Sequence, residues 1–112
     1  MKYIVYQTTN KINGKLYIGV HKTENPNIFD GYIGNGIYVG YKLENPKTAY
    51  QHALKKYGYN SFIRTTLKIF DTEEEAYKLE GELVTLDFIR QDNNYNIKTG
   101  GIHGCWNYKI VY

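Results

Sequence analysis

Tyr3-Ile4-Val5-Tyr6-Gln7-Thr8 and Lys15-Leu16-Tyr17-Ile18-Gly19-Val20, joined through Asn10-Lys11-Ile12-Asn13-Gly14, decide the fold of this 112-residue chain. Both runs are rich in β-branched and aromatic residues, which suit a pleated surface, and the Asn-Gly between them is a strong hairpin signal. The reading is a β-hairpin that begins almost at the first residue. Tyr6 and Tyr17 each follow an apolar residue and are expected on one face of it, so that two phenols share a surface.

Working outward, residues from about Glu24 to Pro46 hold both prolines together with Gly31, Gly34, Gly36 and Gly40. This stretch reads as a long ordered loop with a short helical turn near Ile37 to Leu43. Its Gly34-Asn35-Gly36 has neither the strand before it nor the helix start after it that a phosphate-binding glycine loop requires. Thr48 opens a helix through Ala49, Tyr50, Ala53, Leu54 and Tyr57, which Gly58 ends. Ser61 to Phe70 alternates as a third strand. Thr72-Glu73-Glu74-Glu75 is a capping box, and a long helix is expected from about Glu73 to Ile89. Tyr95 to Gly101 reads as a short extended segment leading to a turn. Strand, strand, helix, strand, helix without repeats predicts an α+β fold, a small three-stranded antiparallel sheet flanked by helices.

The length suits one domain, expected over residues 1–101, followed by a short tail at 102–112 with no room for a separate DNA-recognition module. A hydrophobic content of 42% argues against disorder. No run has the length of a membrane span or the form of a signal peptide, so a cytoplasmic protein with no membrane partner is expected. The lone Cys105 offers no internal disulfide, zinc site or redox pair. Fourteen Lys and Arg against eleven Asp and Glu give a net charge of +3. That balance permits nucleic-acid binding, and an ordinary solvated lysine surface explains it equally well.

Glu80 is the most telling acid. On the expected helix Ala76, Leu79, Glu80, Leu83, Val84 and Asp87 share one stripe, so an ionisable group interrupts a mostly apolar face. Spacing alone supports equally a boundary glutamate turned to solvent or paired with a lysine, and a carboxylate set to bind a hard divalent cation. Asn96 by itself reads as an ordinary turn asparagine. Tyr6 and Tyr17, among thirteen tyrosines, read by default as strand residues filling a core edge. For a tyrosine to take a proton from water, a nearby cation must lower its pKa.

Tyr17-Ile18-Gly19, preceded at the right spacing by the degenerate Ile4-Val5-Tyr6, resembles the paired motifs of the GIY-YIG nucleases. Tyr32-Ile33-Gly34 and Gly36-Ile37-Tyr38 carry the same letters in the wrong order, inside the glycine-rich loop, and are read as decoys. Tyr17-Ile18-Gly19-Val20-His21-Lys22-Thr23 followed by Gly31-Tyr32-Ile33-Gly34-Asn35-Gly36 is similar to the phage-encoded, homing-endonuclease-like branch of that family. The resemblance covers roughly residues 2–101. It implies a DNA endonuclease, phage or mobile-element encoded, acting in the host cytoplasm with Mg²⁺ or Mn²⁺. Under it Glu80 in Glu80-Gly81-Glu82-Leu83-Val84 is the metal ligand, with Glu82 a lesser candidate, and Tyr6 or Tyr17 organises or deprotonates water. Asn96 in Tyr95-Asn96-Ile97 supports the site by hydrogen bonding.

The chain departs from the family where many members carry an arginine about ten residues past the YIG tyrosine. Asn27 stands there, and Arg64 and Arg90, the only arginines, lie in other segments. His21 and Lys22 are the expected substitutes, His52 beside Lys55 and Lys56 a reserve, and His103 receives no role. Sequence specificity would come from the Gly31 to Tyr41 loop and basic helix, from a homodimer or from a partner. The rival expectations are an inactive DNA- or partner-binding protein on the same fold and a bare interaction domain.

Overall fold

The computed structural model describes residues 1–97 and Gly100. Strands β1 (Lys2–Asn10) and β2 (Leu16–Thr23) form the expected hairpin, closed by Asn10 N–H to Lys15 O at 2.9 Å and by Gly14, whose φ of 76° suits a residue without a Cβ. Strands β3 (Tyr32–Gly34) and β4 (Ile37–Tyr38), helix α1 (Ala49–Tyr57), strand β5 (Phe62–Phe70) and helices α2 (Glu73–Leu83) and α3 (Leu86–Arg90) follow. The fold is α+β, with a three-stranded antiparallel sheet in the order β2-β1-β5.

Two expectations need correction. Tyr32 to Tyr38 forms a second hairpin in place of a loop with a helical turn. Gly34, Asn35 and Gly36 have φ of 118°, 55° and 78°, and three positive values in succession reverse the chain so that Tyr32 pairs with Tyr38. The single long helix is two, because Val84 leaves helical geometry and Thr85 starts a new helix by accepting the Phe88 N–H at 3.2 Å. Asp87 therefore leaves the Glu80 stripe. Local signals held elsewhere: Thr48 caps α1 by accepting the Gln51 N–H at 3.1 Å, Gly58 ends it at φ 83°, and Thr72 with Glu75 opens α2. The expected tail, with Cys105 and His103, lies outside the described residues.

Register fixes what each face of the sheet carries. Tyr6 pairs with Gly19 and Thr8 with Tyr17, so Tyr6, Thr8, Tyr17, Gly19 and His21 share one face. Arg64 and Thr66 join them, opposite Thr8 and Tyr6. Above this face lie α1 and the second hairpin, in a core of Ile33, Ile37, Tyr50, Ala53, Leu54, Phe62 and Tyr95. Val5 and Ile18 point the other way into a core with Ala76, Val84 and Ile89 from α2 and α3.

The outer edge of β2 is covered instead of left open to another strand. Leu16 N–H donates to Asn93 O at 2.9 Å and Tyr95 N–H to Leu16 O at 2.7 Å. Asn96 then uses its side chain as a substitute peptide, accepting the Ile18 N–H at 3.0 Å and donating to Ile18 O at 2.8 Å.

Candidate active site

Tyr6 is the centre of the aromatic face. It is 1% exposed, and two glycines make room for its ring. A Cβ on Gly19 would stand 2.5 Å from the Tyr6 hydroxyl, and one on Gly34 3.0 Å from it. The glycine that ends each Tyr-Ile-Gly is therefore the wall of one pocket. The Tyr17 and Tyr32 rings flank Tyr6 at centroid distances of 6.4 and 6.0 Å. Tyr32-Ile33-Gly34, read as a decoy, packs against Tyr6.

Tyr17 is held by stacking on Tyr50 at 4.3 Å and 9°. Tyr50 is itself fixed: its hydroxyl donates to Ile33 O at 2.6 Å and lies 2.9 Å from Thr8 Oγ1. Gln51 of α1 donates to both Asn35 oxygens, at 3.1 and 3.2 Å, and the Asn35 side chain lies beside the Tyr17 phenol, where it favours the ionised form. The turn of the second hairpin is thus tied to α1 and to Tyr17 together.

On the far side of Tyr6, His21 stacks on Tyr32 at 4.0 Å and 7°, and its Nε2 lies 2.6 Å from Asp30 Oδ2. Asp30 Oδ1 accepts the Tyr32 N–H at 3.0 Å and an Arg64 N–H at 3.2 Å. The same Arg64 nitrogen donates to Tyr32 O at 2.9 Å. The Arg64 side chain is only 3% exposed, its guanidinium 4.7 Å from the Phe29 ring centre and 5.9 Å from that of Tyr6. The arginine that seemed to lie in the wrong segment is thus carried beside Tyr6 by β5.

The remaining candidates divide. Glu80 is half-buried on α2, and its charge opposes ionisation of the Tyr17 and Tyr77 phenols, which brings it within electrostatic reach of the aromatic face. Gly100 lies against Glu80, where any side chain would collide with that residue's carbonyl, and its N–H donates to Val84 O at 2.8 Å. Asn96 clamps Ile18, between Tyr17 and Gly19, without presenting its amide to the aromatic face. Lys22 does not join the others: it pairs with Tyr3, on the opposite face from His21, with its ammonium 6.0 Å from the Tyr3 ring. His52 is exposed on α1, and Glu82 on α2 is likewise turned to solvent.

Burial sets the protonation states. It raises the Tyr6 phenol well above its usual range, and the neighbouring Tyr17, Tyr32 and Tyr50 add to the effect. Tyr17 is raised for the same first reason, with Tyr32 and Glu80 contributing. Burial thus favours the neutral, hydrogen-bonding phenol at both positions. Burial also opposes ionisation of Asp30. The His21 hydrogen bond, the Tyr32 N–H and the Arg64 charge outweigh it and hold Asp30 down at about 2.

Sequence reading missed Asp30, Tyr32, Gly34, Tyr50 and Arg64. The repeat of Tyr-Ile-Gly fifteen residues on was the available signal for Tyr32 and Gly34. For Arg64 none was decisive, since Phe62 and Ile63 supply an apolar residue to both faces of β5.

No family model matches the chain, and no solved structure does. It is similar to several proteins of Enterobacteria phage T4. "Putative endonuclease segE" is 50% identical over 104 residues, 93% of this chain and 44% of the relative. "Putative endonuclease segD" is 41% identical over 101 residues, 90% of this chain and 40% of the relative, and "Endonuclease segA" 36% over 99 residues, 88% and 39%. The chain spans less than half the length of the curated relatives it matches.

Proposed function

We propose that this chain carries the catalytic unit of a phage-type, metal-dependent DNA endonuclease of the GIY-YIG kind. The observation that carries the reading is the convergence of Tyr6 and Tyr17 on one pocket walled by Gly19 and Gly34, with Glu80 in electrostatic reach. The names of the phage relatives support it. DNA would be met in the host cytoplasm, and no described helix is long and apolar enough to cross a membrane.

The donor set fits Mg²⁺ or Mn²⁺. Glu80 offers one hard carboxylate, and such ions are commonly held by one or two carboxylates together with substrate phosphates and water. When bound, the ion supplies positive charge against the scissile phosphate. The chain's own residues would do the rest by position. Tyr6 and Tyr17, neutral, hydrogen-bond and orient the attacking water and a phosphate oxygen. Asn96 holds the backbone of Ile18 between Tyr17 and Gly19. With a net charge of +3, contacts to phosphates would contribute strongly, so affinity would fall steeply with salt.

A second reading, an inactive DNA- or partner-binding protein, is favoured by the raised phenols and by the lack, among the described residues, of three clustered metal-ligating side chains. Incubating supercoiled plasmid with Mg²⁺ or Mn²⁺ and either the wild type or Glu80→Ala separates the two. Nicking or linearisation by the wild type alone supports the endonuclease. DNA retained intact by both supports an inactive DNA-binding protein, and no DNA retained at low salt excludes the endonuclease and the DNA-binding protein and leaves a partner-binding domain.

A further inference from the structure

Asp30 has a geometry that the endonuclease reading leaves unused. Its two oxygens are committed to different partners: Oδ1 accepts from the Tyr32 N–H at 3.0 Å and from Arg64 at 3.2 Å, while Oδ2 faces His21 Nε2 at 2.6 Å. Both Oδ1 partners are obligate donors, since a backbone N–H and a guanidinium have no acceptor to offer. The buried Arg64 cannot swing to another partner, because it is packed on Phe29 and Tyr6 and also donates to Tyr32 O.

We propose that Asp30 is a positioning residue for His21, fixing the Nε2–H tautomer so that Nδ1 is the acceptor nitrogen that takes and returns a proton during phosphodiester hydrolysis. An ionised carboxylate only accepts, so the ring nitrogen facing it must carry the hydrogen. Asp30, held at about 2, is ionised throughout the neutral range. Stacking on Tyr32 restrains the ring plane, and Tyr32 also touches Tyr6, so the imidazole is oriented by the same hairpin that walls the Tyr6 pocket. In the step itself, water gives its proton to Nδ1 as its oxygen forms the new P–O bond. The ester P–O bond breaks, and the leaving oxygen takes a proton back from Nδ1–H or from solvent.

The inference rests on the endonuclease reading for its chemistry but not for its geometry, and Asp30→Asn tests the two apart. Arg64 and the Tyr32 N–H require an oxygen at the Oδ1 place, so the amide NH₂ takes the Oδ2 place and donates to His21 Nε2. That forces the hydrogen to Nδ1, the wrong tautomer for the proposed role. Nitrogen-15 NMR of the imidazole in the full chain should show Nε2–H in the wild type and Nδ1–H in Asp30→Asn. Single-turnover cleavage at saturating DNA should fall by about 10- to 100-fold, with DNA affinity retained and a cooperative melt shifted down only by the stability the lost carboxylate contributes. Asp30→Glu, which keeps a carboxylate, should recover part of the rate and the Nε2–H signature. An Nδ1–H wild type, or an unchanged cleavage rate in a variant whose tautomer has switched, overturns the proposal. If the wild type does not cleave at all, the endonuclease reading falls, and with it the proton transfer, while the tautomer signature still decides whether Asp30 orients His21.

Discussion

Tyr17-Ile18-Gly19 and Tyr32-Ile33-Gly34 are the same three residues in two settings. The first lies in an eight-residue strand of the main sheet, paired along β1 and covered at its edge by Asn93 to Asn96. The second is a three-residue strand in a hairpin of two, tied down by side chains from α1 and β5. Both glycines clear space for the Tyr6 ring, and both tyrosines flank it. They differ in their neighbours: Tyr17 stacks on Tyr50 and feels Glu80, whereas Tyr32 stacks on His21 and is bound to Asp30 and Arg64. A short motif acquires its chemistry from what its glycine makes room for and from the layer its tyrosine faces.

The largest effect separating the two settings should come from their glycines. Gly34→Ala meets Tyr6, Tyr50 and Tyr17 at 3.0 to 3.2 Å and also needs a φ of 118° that alanine rarely adopts. A loss of about 3 kcal/mol or more is expected in urea unfolding, combining strained backbone with overpacking. Gly19→Ala has no φ penalty and should lose about 1–3 kcal/mol. Its nearest obstacle is the Tyr6 hydroxyl at 2.5 Å, with the ring carbon behind it at 2.8 Å. Adding Tyr6→Phe should therefore restore part of the Gly19→Ala loss, and equal losses with and without that hydroxyl would break the shared-pocket account.

Tyr50→Phe probes what holds the Tyr17 side. It removes the donor to Ile33 O, a buried carbonyl, and should cost about 1–2 kcal/mol in the same assay. The Tyr32 side is probed by acid. Asp30 is depressed in the folded state, so its contribution is present above the ordinary carboxylate range and is lost as pH falls from about 4 through about 2. With 30% of its side chain exposed, that contribution is about 1–2 kcal/mol after solvent screening. Stability compared across that window should fall more for the wild type than for Asp30→Asn. The smallest effect should be that of Lys22→Ala, on the opposite face from Tyr6, which should change stability by no more than about 0.5 kcal/mol and leave plasmid cleavage unchanged.

The contrast also explains what could be read in the sequence. The β1–β2 hairpin, α1 and the start of α2 announce themselves through contiguous signals: Asn13-Gly14, the Thr48 cap with Gly58, and Thr72 with Glu75. The second hairpin does not, because its stability comes from Gln51 and Arg64, sixteen and more residues away in sequence. Arg64 reaches Tyr6 only because β5 pairs in one particular register, with an irregularity that skips Leu67. Shifting that register by one residue would send Arg64 to the α2 face. Of the candidate residues, the first hairpin could place Tyr6, Tyr17 and His21, while the face of Lys22 followed from alternation that the motif match obscured.

Tyr6→Phe tests the central claim most directly, measured as single-turnover cleavage of supercoiled plasmid with Mg²⁺ beside a Tyr3→Phe control from the other face. Tyr6→Phe should remain folded and lose at least about 100-fold in rate while Tyr3→Phe cleaves like the wild type. A folded Tyr6→Phe that cleaves at the wild-type rate would contradict a reaction built around the Tyr6 pocket.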